Sequence, residues 1–210
     1  MVAVDPVGFG GPPRMTDKQW ASLPEDEEGE LVDGLLVEEE VPDWVHESVV
    51  SWLIRTLGNW ADPRGGLVGG SELKYLLRPG RGRKPDVSMI LPGRKWPAAR
   101  RVLRHPPDVV IEVVSPSPRD ARRDRIEKFA EYAVFGVHYY WIVEPATRLV
   151  EFYELNTQGK YVRVRGASAG IVDDIPGCEG LVFDLDDLWQ RVEKFTSVDE
   201  GSEDTTPEEE

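Results

Sequence analysis

Two acidic residues set in apolar strand sequences constrain the fold of this chain more than any other feature. Asp86 opens the apolar run at residues 86–91, and Glu112 lies inside residues 108–114, the most apolar run of the chain. Runs rich in β-branched residues favour buried strands. Because burying an ionised carboxylate is costly without compensation, we expect the two strands to be neighbours whose acids share a cation.

The rest of the pattern predicts helices and strands around this pair. Apolar residues at helical spacing predict one helix at 43–60, with Asp43 as N-cap, and a second at 119–135 that ends at Gly136. A strand at 138–143 then predicts a parallel pair with 108–114, joined by a right-handed crossover. Further elements are expected as a helix at 16–23, a hairpin at 30–37 around Asp33-Gly34, strands at 67–68, 71–77, 149–155, 161–164 and 181–183, and a helix from Asp184 to about Val192. The expected fold class is α/β, of mixed α+β type, with a central mixed β-sheet flanked by helices.

Length and composition predict one domain at residues 15–195. The Gly- and Pro-rich residues 1–14 and the acidic residues 196–210 are expected to be disordered. The single cysteine, Cys178, excludes an intrachain disulfide and fits a cytoplasmic protein. The chain has no apolar stretch of the roughly 20 residues that span a bilayer, so no membrane partner is expected.

The net charge of −14 is unevenly distributed. Residues 78–128 hold 14 basic and 6 acidic residues, whereas the remainder holds 11 basic and 33 acidic residues. A basic middle is a candidate surface for the phosphates of nucleic acid, although an ordinary solvated surface is the alternative. The contacts are expected in a basic loop at 78–84 and a long Pro- and Arg-rich loop at 92–107. The candidate contact residues are Arg81, Arg83, Lys84, Arg100 and Arg101.

The acidic pair suits a hydrolytic metal site. Mg²⁺ takes oxygen ligands and keeps several waters, so Asp86, Glu112 and a backbone carbonyl such as that of Val113 would suffice. Such an ion activates water and neutralises phosphate charge, and a lysine beside it orients or deprotonates that water. Lys128 is the candidate lysine. Asp124 and Tyr132 lie four residues to either side of it, on the same predicted helix face, and are expected to hold it in place.

This layout resembles the PD-(D/E)xK nuclease superfamily, in which Asp, Glu and Lys surround a divalent metal. The superfamily usually carries its lysine two residues after the acid, where this chain has Val114. Some branches carry the lysine on the following helix, where this chain has Lys128.

An ordered series of motifs resembles the Uma-type family of bacterial restriction-endonuclease-like proteins over about residues 15–192. The motifs are Glu30-Leu31-Val32-Asp33-Gly34, His46, Pro85-Asp86-Val87, Ile111-Glu112-Val113-Val114-Ser115-Pro116-Ser117, Asp124 with Lys128 and Tyr132, and residues 136–143. The resemblance implies a restriction-endonuclease-like core and an endonuclease that cuts DNA with Mg²⁺ or Mn²⁺. It also implies that Asp86, Glu112 and Lys128 are catalytic and that Glu30 and His46 lie near them. Cutting both strands of a duplex usually takes two sites, so a homodimer is expected.

Two other readings stay open. The chain could be a catalytically inactive nuclease-fold module with a binding or regulatory role, which Val114 and the acidic flanks leave room for. A glycosidase with a pair of carboxylates is less favoured, because basic loops suit phosphate better than sugar and Lys128 would have no role.

Overall fold

The computed structural model describes residues 14–24, 29–37, 42–98, 100–115, 117 and 122–196. The disorder predicted at the two ends lies almost wholly outside these residues, as do the first three residues of the helix predicted at 119–135. Arg14, the last residue of the predicted N-terminal extension, donates a hydrogen bond to the backbone carbonyl of Asp33 at 2.8 Å.

The described residues form three sheets and four α-helices. The helices are α1 Asp17–Ala21, α2 Trp44–Ala61, α3 Phe129–Phe135, directly preceded by a π-helical segment at Arg123–Lys128, and α4 Leu185–Thr196. The strands are β1 Glu30–Val32, β2 Leu35–Val37, β3 Leu67–Gly70, β4 Lys74–Arg78, β5 Arg81–Arg83, β6 Val87–Ile90, β7 Val102–Leu103, β8 Val109–Val113, β9 Tyr139–Glu144, β10 Leu149–Leu155, β11 Tyr161–Ala167, β12 Ile171–Val172 and β13 Phe183–Asp184.

The central sheet is mixed and has the order β11-β10-β9-β8-β6-β3. β8 runs parallel to β9, with Ile111 opposite Trp141. β6 runs antiparallel to β8, with Val87 opposite Ile111. The predicted parallel pair is therefore confirmed, and so is the expectation that the strands of Asp86 and Glu112 are neighbours.

Successive side chains of β8 point to opposite faces of the sheet and so pack into two different cores. Ile111 and its neighbours two residues away pack with α2 and α4 in the larger core. Val110 and Val114 pack with Tyr132 of α3 in a second core on the opposite face. Since both faces are covered, the strand reads as a continuous apolar run. Glu112 shares the face of Val110 and Val114, so its carboxylate points into the layer beneath α3.

A second sheet, β2-β1-β5-β4-β7, differs from the sequence prediction in three places. The loop predicted at 78–84 contains the buried strand β5, and β7 lies within the loop predicted at 92–107. The strand predicted at 71–77 begins only at Lys74, because Ser71 and Glu72 form a turn after β3. Trp20 explains the position of β5: a Cβ added to Gly82 would lie 2.3 Å from the Trp20 ring. Only glycine at this position lets the strand lie against that ring.

The predicted helix caps are confirmed. Asp43 accepts a hydrogen bond from the backbone N–H of His46 at 2.7 Å, and Asp184 accepts one from Asp187 at 3.0 Å. Gly136 ends α3 in the left-handed region, with φ 94°. A search of the helices in the described part of the chain finds none with the length and apolarity needed to cross a bilayer.

Candidate active site

A cleft of about 130 Å³ opens where the first residues of β6 meet the last residues of β8. Asp86 lies one residue before the pair Val87–Ile111, and Glu112 lies one residue after it, so the antiparallel register brings the two acids to the same end. α2 supplies His46 to this cleft, and the π-helical segment supplies Lys128. Four separate elements thus converge on one site.

Glu112 is the most enclosed acid of the cleft. Its Oε2 accepts a hydrogen bond from Lys128 Nζ at 3.0 Å, and its Oε1 accepts one from the Tyr132 hydroxyl at 2.9 Å. Tyr132 was expected to hold Lys128, but its hydroxyl contacts the carboxylate that Lys128 also binds. The lysine and the tyrosine therefore fix both oxygens of Glu112.

Lys128 is surrounded by carboxylates. Its Nζ lies 3.0 Å from Glu112, 3.2 Å from Asp124 and 3.8 Å from Glu30. The segment that carries it makes a π-helical turn, a geometry found often at functional sites. The Tyr140 hydroxyl of β9 donates a hydrogen bond to the backbone carbonyl of Asp124 at 3.0 Å, which ties this turn to the central sheet.

Asp86 is held by the backbone and by a histidine. Its Oδ2 accepts a hydrogen bond from the backbone N–H of Val113 at 2.7 Å. Its Oδ1 lies 3.3 Å from His46 Nε2. Val113 also lines the cleft. The sequence analysis proposed its backbone carbonyl as a metal ligand, whereas in the structure its backbone N–H fixes Asp86.

Burial and crowding shift the pKa values of these acids in opposite directions. Burial raises the pKa of Glu112 well above its usual value, and the charges of Asp86, Asp124 and Glu30 add to this while Lys128 opposes it. Burial also raises the pKa of Glu30, but Lys128 and Arg83 outweigh it and the net pKa is lowered. Burial raises the pKa of Asp86 too, but His46, Lys128 and the backbone N–H of Val113 together outweigh it, and the net pKa is lowered.

Lys128 shows the complementary effect. Burial alone would lower the pKa of Lys128, but Glu112, Glu30 and Asp124 raise it well above its usual value. Burial also lowers the pKa of His46, but Asp86 and Glu47 together outweigh it, and the net pKa is raised. The carboxylates of Glu30, Glu112 and Asp124 thus raise the pKa of the lysine, and that of Asp86 raises the pKa of the histidine.

This donor set fits a hard divalent cation. Carboxylate oxygens are the ligands that Mg²⁺ and Mn²⁺ prefer, and Mg²⁺ needs only one or two of them. Among the residues that the structure describes, no three His, Cys, Asp or Glu side chains form a group that could hold a metal ion. Asp86 and Glu112 are therefore the candidate pair, and backbone and water oxygens would complete the coordination.

The residues expected to contact nucleic acid fall into two groups. Arg100 and Arg101 are exposed in the loop after β6. Arg83, by contrast, is 1% exposed and forms ion pairs with Glu30 and Glu131, so it cannot reach a nucleic acid at the surface. Arg81 lies 3.0 Å from Asp33 and 3.3 Å from Glu131. Both arginines lie in a strand rather than in the expected loop, and their charges are neutralised within the fold.

Lys84 is also buried, although it lines the cleft. Its backbone N–H donates a hydrogen bond to Glu30 Oε1 at 3.1 Å, and its Nζ lies 3.5 Å from Glu72. Glu30 thus joins β5 to Lys128, which places it beside the site, as the motif series indicated.

Several cleft residues were not identified from the sequence. They are Glu47, Ser71, Glu72, Ser115 and Arg123. Two of them had a readable signal: Gly69-Gly70 marks the end of β3, so Ser71 and Glu72 belong to a turn rather than to a strand. Glu131 lies outside the cleft and pairs with both Arg81 and Arg83. No sequence signal could have identified it, because these contacts join elements that are distant in sequence.

The fold and the site together define a restriction-endonuclease-like protein: a mixed sheet flanked by helices, with two acids and a lysine at one end of neighbouring strands. The chain belongs to the Uma2 family, whose model, described as "Putative restriction endonuclease", matches residues 17–186. The family resemblance drawn from the sequence motifs is thereby confirmed.

A solved structure supports the fold. A protein of Anabaena variabilis ATCC 29413, described as "a putative nuclease belonging to DUF820", superposes with a TM-score of 0.66 and 19% sequence identity. The match covers 85% of this chain and 99% of that one. A search of curated proteins gives no match.

Proposed function

We propose that residues 15–195 form a nuclease domain that hydrolyses phosphodiester bonds of DNA with the help of Mg²⁺ or Mn²⁺. The observation that carries the proposal is the position of Glu112, fixed by Lys128 at 3.0 Å and Tyr132 at 2.9 Å and lying beside Asp86. The family description supports nuclease chemistry. The proposal includes a homodimer, since a duplex has two strands, and a cytoplasmic location.

The two acids would hold the cation. A bound divalent ion supplies an activated water and neutralises charge on the phosphate. Asp86, whose pKa is lowered, is ionised at neutral pH and ready to coordinate. A carboxylate must be ionised to bind a metal, so the raised pKa of Glu112 predicts that binding becomes tighter as the pH rises.

Lys128 would act as a fixed positive donor. Burial lowers its pKa, but the surrounding acids raise it well above the usual value, which favours a protonated ammonium that acts as a hydrogen-bond donor. It can orient the attacking water and stabilise the extra negative charge on the phosphate in the transition state. Asp124, at 3.2 Å, is the positioning residue for this ammonium.

DNA would contact basic side chains at the cleft and in the exposed loop after β6. Arg123 lines the cleft, and Arg100 and Arg101 are exposed in the loop nearby. Such side chains bind phosphates without regard to sequence, and binding should weaken as salt increases.

Cleavage of supercoiled plasmid in Mg²⁺ and Mn²⁺ tests the proposal. We expect Asp86→Asn and Glu112→Gln to abolish cleavage, and Lys128→Met to lower it by at least about a hundredfold. Glu127→Gln, an exposed neighbour on the same helical segment, is the matched control and should cleave normally. Calorimetry with Mn²⁺ adds a second readout, since both acid variants should lose the heat of binding. Cleavage that survives in both acid variants would disprove the assignment.

An inactive nuclease-fold module is the second candidate. The contacts that favour it are those of Glu112, whose oxygens both have protein partners, together with Val114 at the usual lysine position. This module would bind DNA without cutting it and would show no Mn²⁺ heat. The same two assays therefore separate the candidates.

A further inference from the structure

A second cavity of about 620 Å³ adjoins the cleft. The two cavities share Glu47, Ser71 and Glu72 as lining residues, so one opens beside the other. Cavities of this size are large enough to hold a small organic molecule. Because it adjoins the cleft, a ligand bound in the cleft can extend into it.

Two glycines form one wall of this second cavity. Gly69 and Gly70 end β3, and both line the cavity. A Cβ on Gly69 would lie 2.2 Å from Leu73 Cδ1, and a Cβ on Gly70 would lie 3.3 Å from Ile54 Cδ1. At these two glycines the side chains of Leu73 and Ile54 pack against the backbone, so this wall of the cavity joins the turn after β3 to α2.

The cavity is mainly apolar, with a polar group at its base. The Tyr75 hydroxyl donates a hydrogen bond to Ser88 Oγ at 2.9 Å, and both side chains are buried while lining the cavity. Because Ser88 accepts this hydrogen bond, its own hydroxyl hydrogen is available to donate to a ligand in the cavity. Leu73 and Leu103 contribute apolar walls, and Arg100 lies at the rim. A flat, mainly apolar ring with polar edges fits this surface.

We propose that this cavity receives one unstacked nucleobase of the nucleic acid whose phosphate lies over Asp86 and Glu112. The proposal rests on the proposed nuclease function and adds a substrate class: a single strand, or a duplex from which one base has swung out. Unstacking costs a few kcal/mol and is cheapest in single strands. The carboxylates of Glu47 and Glu72 at the shared mouth would accept hydrogen bonds from exocyclic amino groups, which favours cytosine, adenine and guanine over thymine.

Oligonucleotides that carry 2-aminopurine test the proposal, because the fluorescence of this base rises when it leaves the stack. Binding and fluorescence are measured in Ca²⁺ in place of Mg²⁺, on single-stranded and duplex oligonucleotides. Ser51→Trp fills the cavity from an exposed position on α2, and Ile54→Trp fills it from the next turn. Asn59→Trp, exposed on the same helix and outside both cavities, is the matched control.

We expect fluorescence to rise on binding and single strands to bind more tightly than duplexes. Both filling variants should lose about tenfold in affinity together with the signal, while the control keeps both. Binding without a rise in fluorescence, or a rise that persists in both filling variants, would overturn the base-binding proposal and leave the nuclease proposal standing. A chain that binds neither oligonucleotide would overturn both.

Discussion

Neutralising Glu30 and neutralising Glu112 should have different effects on stability, although both acids are buried beside Lys128. Glu30 pairs with Arg83 and lies 3.8 Å from Lys128, and its pKa is lowered. Glu112 lies among three other carboxylates, and its pKa is raised. The fold therefore favours the charged form of the first acid and disfavours the charged form of the second.

The expected magnitudes follow from the partners that each change leaves behind. Glu30→Gln leaves Arg83, 1% exposed, with Glu131 as its remaining acid. Breaking a buried pair costs 3–5 kcal/mol, and the surviving pair reduces this to about 3 kcal/mol. Glu112→Gln can keep both contacts, because its amide oxygen accepts from Lys128 and its NH₂ donates to Tyr132. We expect it to change stability by less than about 1 kcal/mol.

Urea unfolding in EDTA, followed by circular dichroism, measures both values. A loss of 3 kcal/mol corresponds to a Tm lower by roughly 6–12 °C for a chain of this size. Since the lowered pKa of Glu30 gives stability that is present above the usual carboxyl value of 4.5 and lost as the pH falls further, the gap between wild type and Glu30→Gln should close in acid. Equal losses in Glu30→Gln and Glu112→Gln, with Glu127→Gln unchanged, would refute this account of the charges.

Three further changes test the packing around the site. Tyr132→Phe removes the bond to Glu112 Oε1 at 2.9 Å and should cost about 1–2 kcal/mol in urea unfolding, with cleavage lowered but not lost. Gly82→Ala would place a Cβ 2.3 Å from the Trp20 ring and should cost about 1–3 kcal/mol. Gly58→Ala in α2 has no atom closer than 3.8 Å to its new Cβ and should stabilise by about 0.5–1 kcal/mol. A destabilised Gly58→Ala, or a neutral Gly82→Ala, would contradict the packing described for these helices and strands.

The sequence predicted the parts of the fold that local patterns determine. Glu112 in its apolar run identified the central strand, and the helical periodicity that follows identified the crossover to β9. Asp86 and Glu112 could be paired because each lies in an apolar strand sequence, where an ionised carboxylate is costly to bury without compensation. Lys128 could be found because it lies on the helix that follows the strand of Glu112, where some branches of the superfamily that the sequence resembles carry their lysine.

The parts that were missed depend on contacts between distant elements. The basic run at 78–84 has a loop composition, yet Arg81 and Arg83 are buried because Glu30, Asp33 and Glu131 meet them from other elements. A strand of three residues gives no periodicity to read, so β5 and β7 were assigned to loops. The cavity beside the cleft depends on Gly69 and Gly70 facing α2 and the turn after β3, which only the folded chain brings together.

The packing of Val114 shows how a lysine on the helix can reach Glu112 when the strand itself carries no lysine. Residues two apart in a strand face the same side, so a lysine at position 114 would project toward α3, as Glu112 does. Val114 instead packs in the core under that helix, with Tyr132 and Val110. Lys128 enters the same layer from the opposite direction and reaches Glu112 at 3.0 Å. A lysine on the strand and a lysine on the helix would therefore both approach Glu112 from the same face of the sheet. With the lysine on the helix, position 114 can carry an apolar side chain that packs in the core. The π-helical segment and Asp124 supply the positioning that a strand backbone would otherwise give.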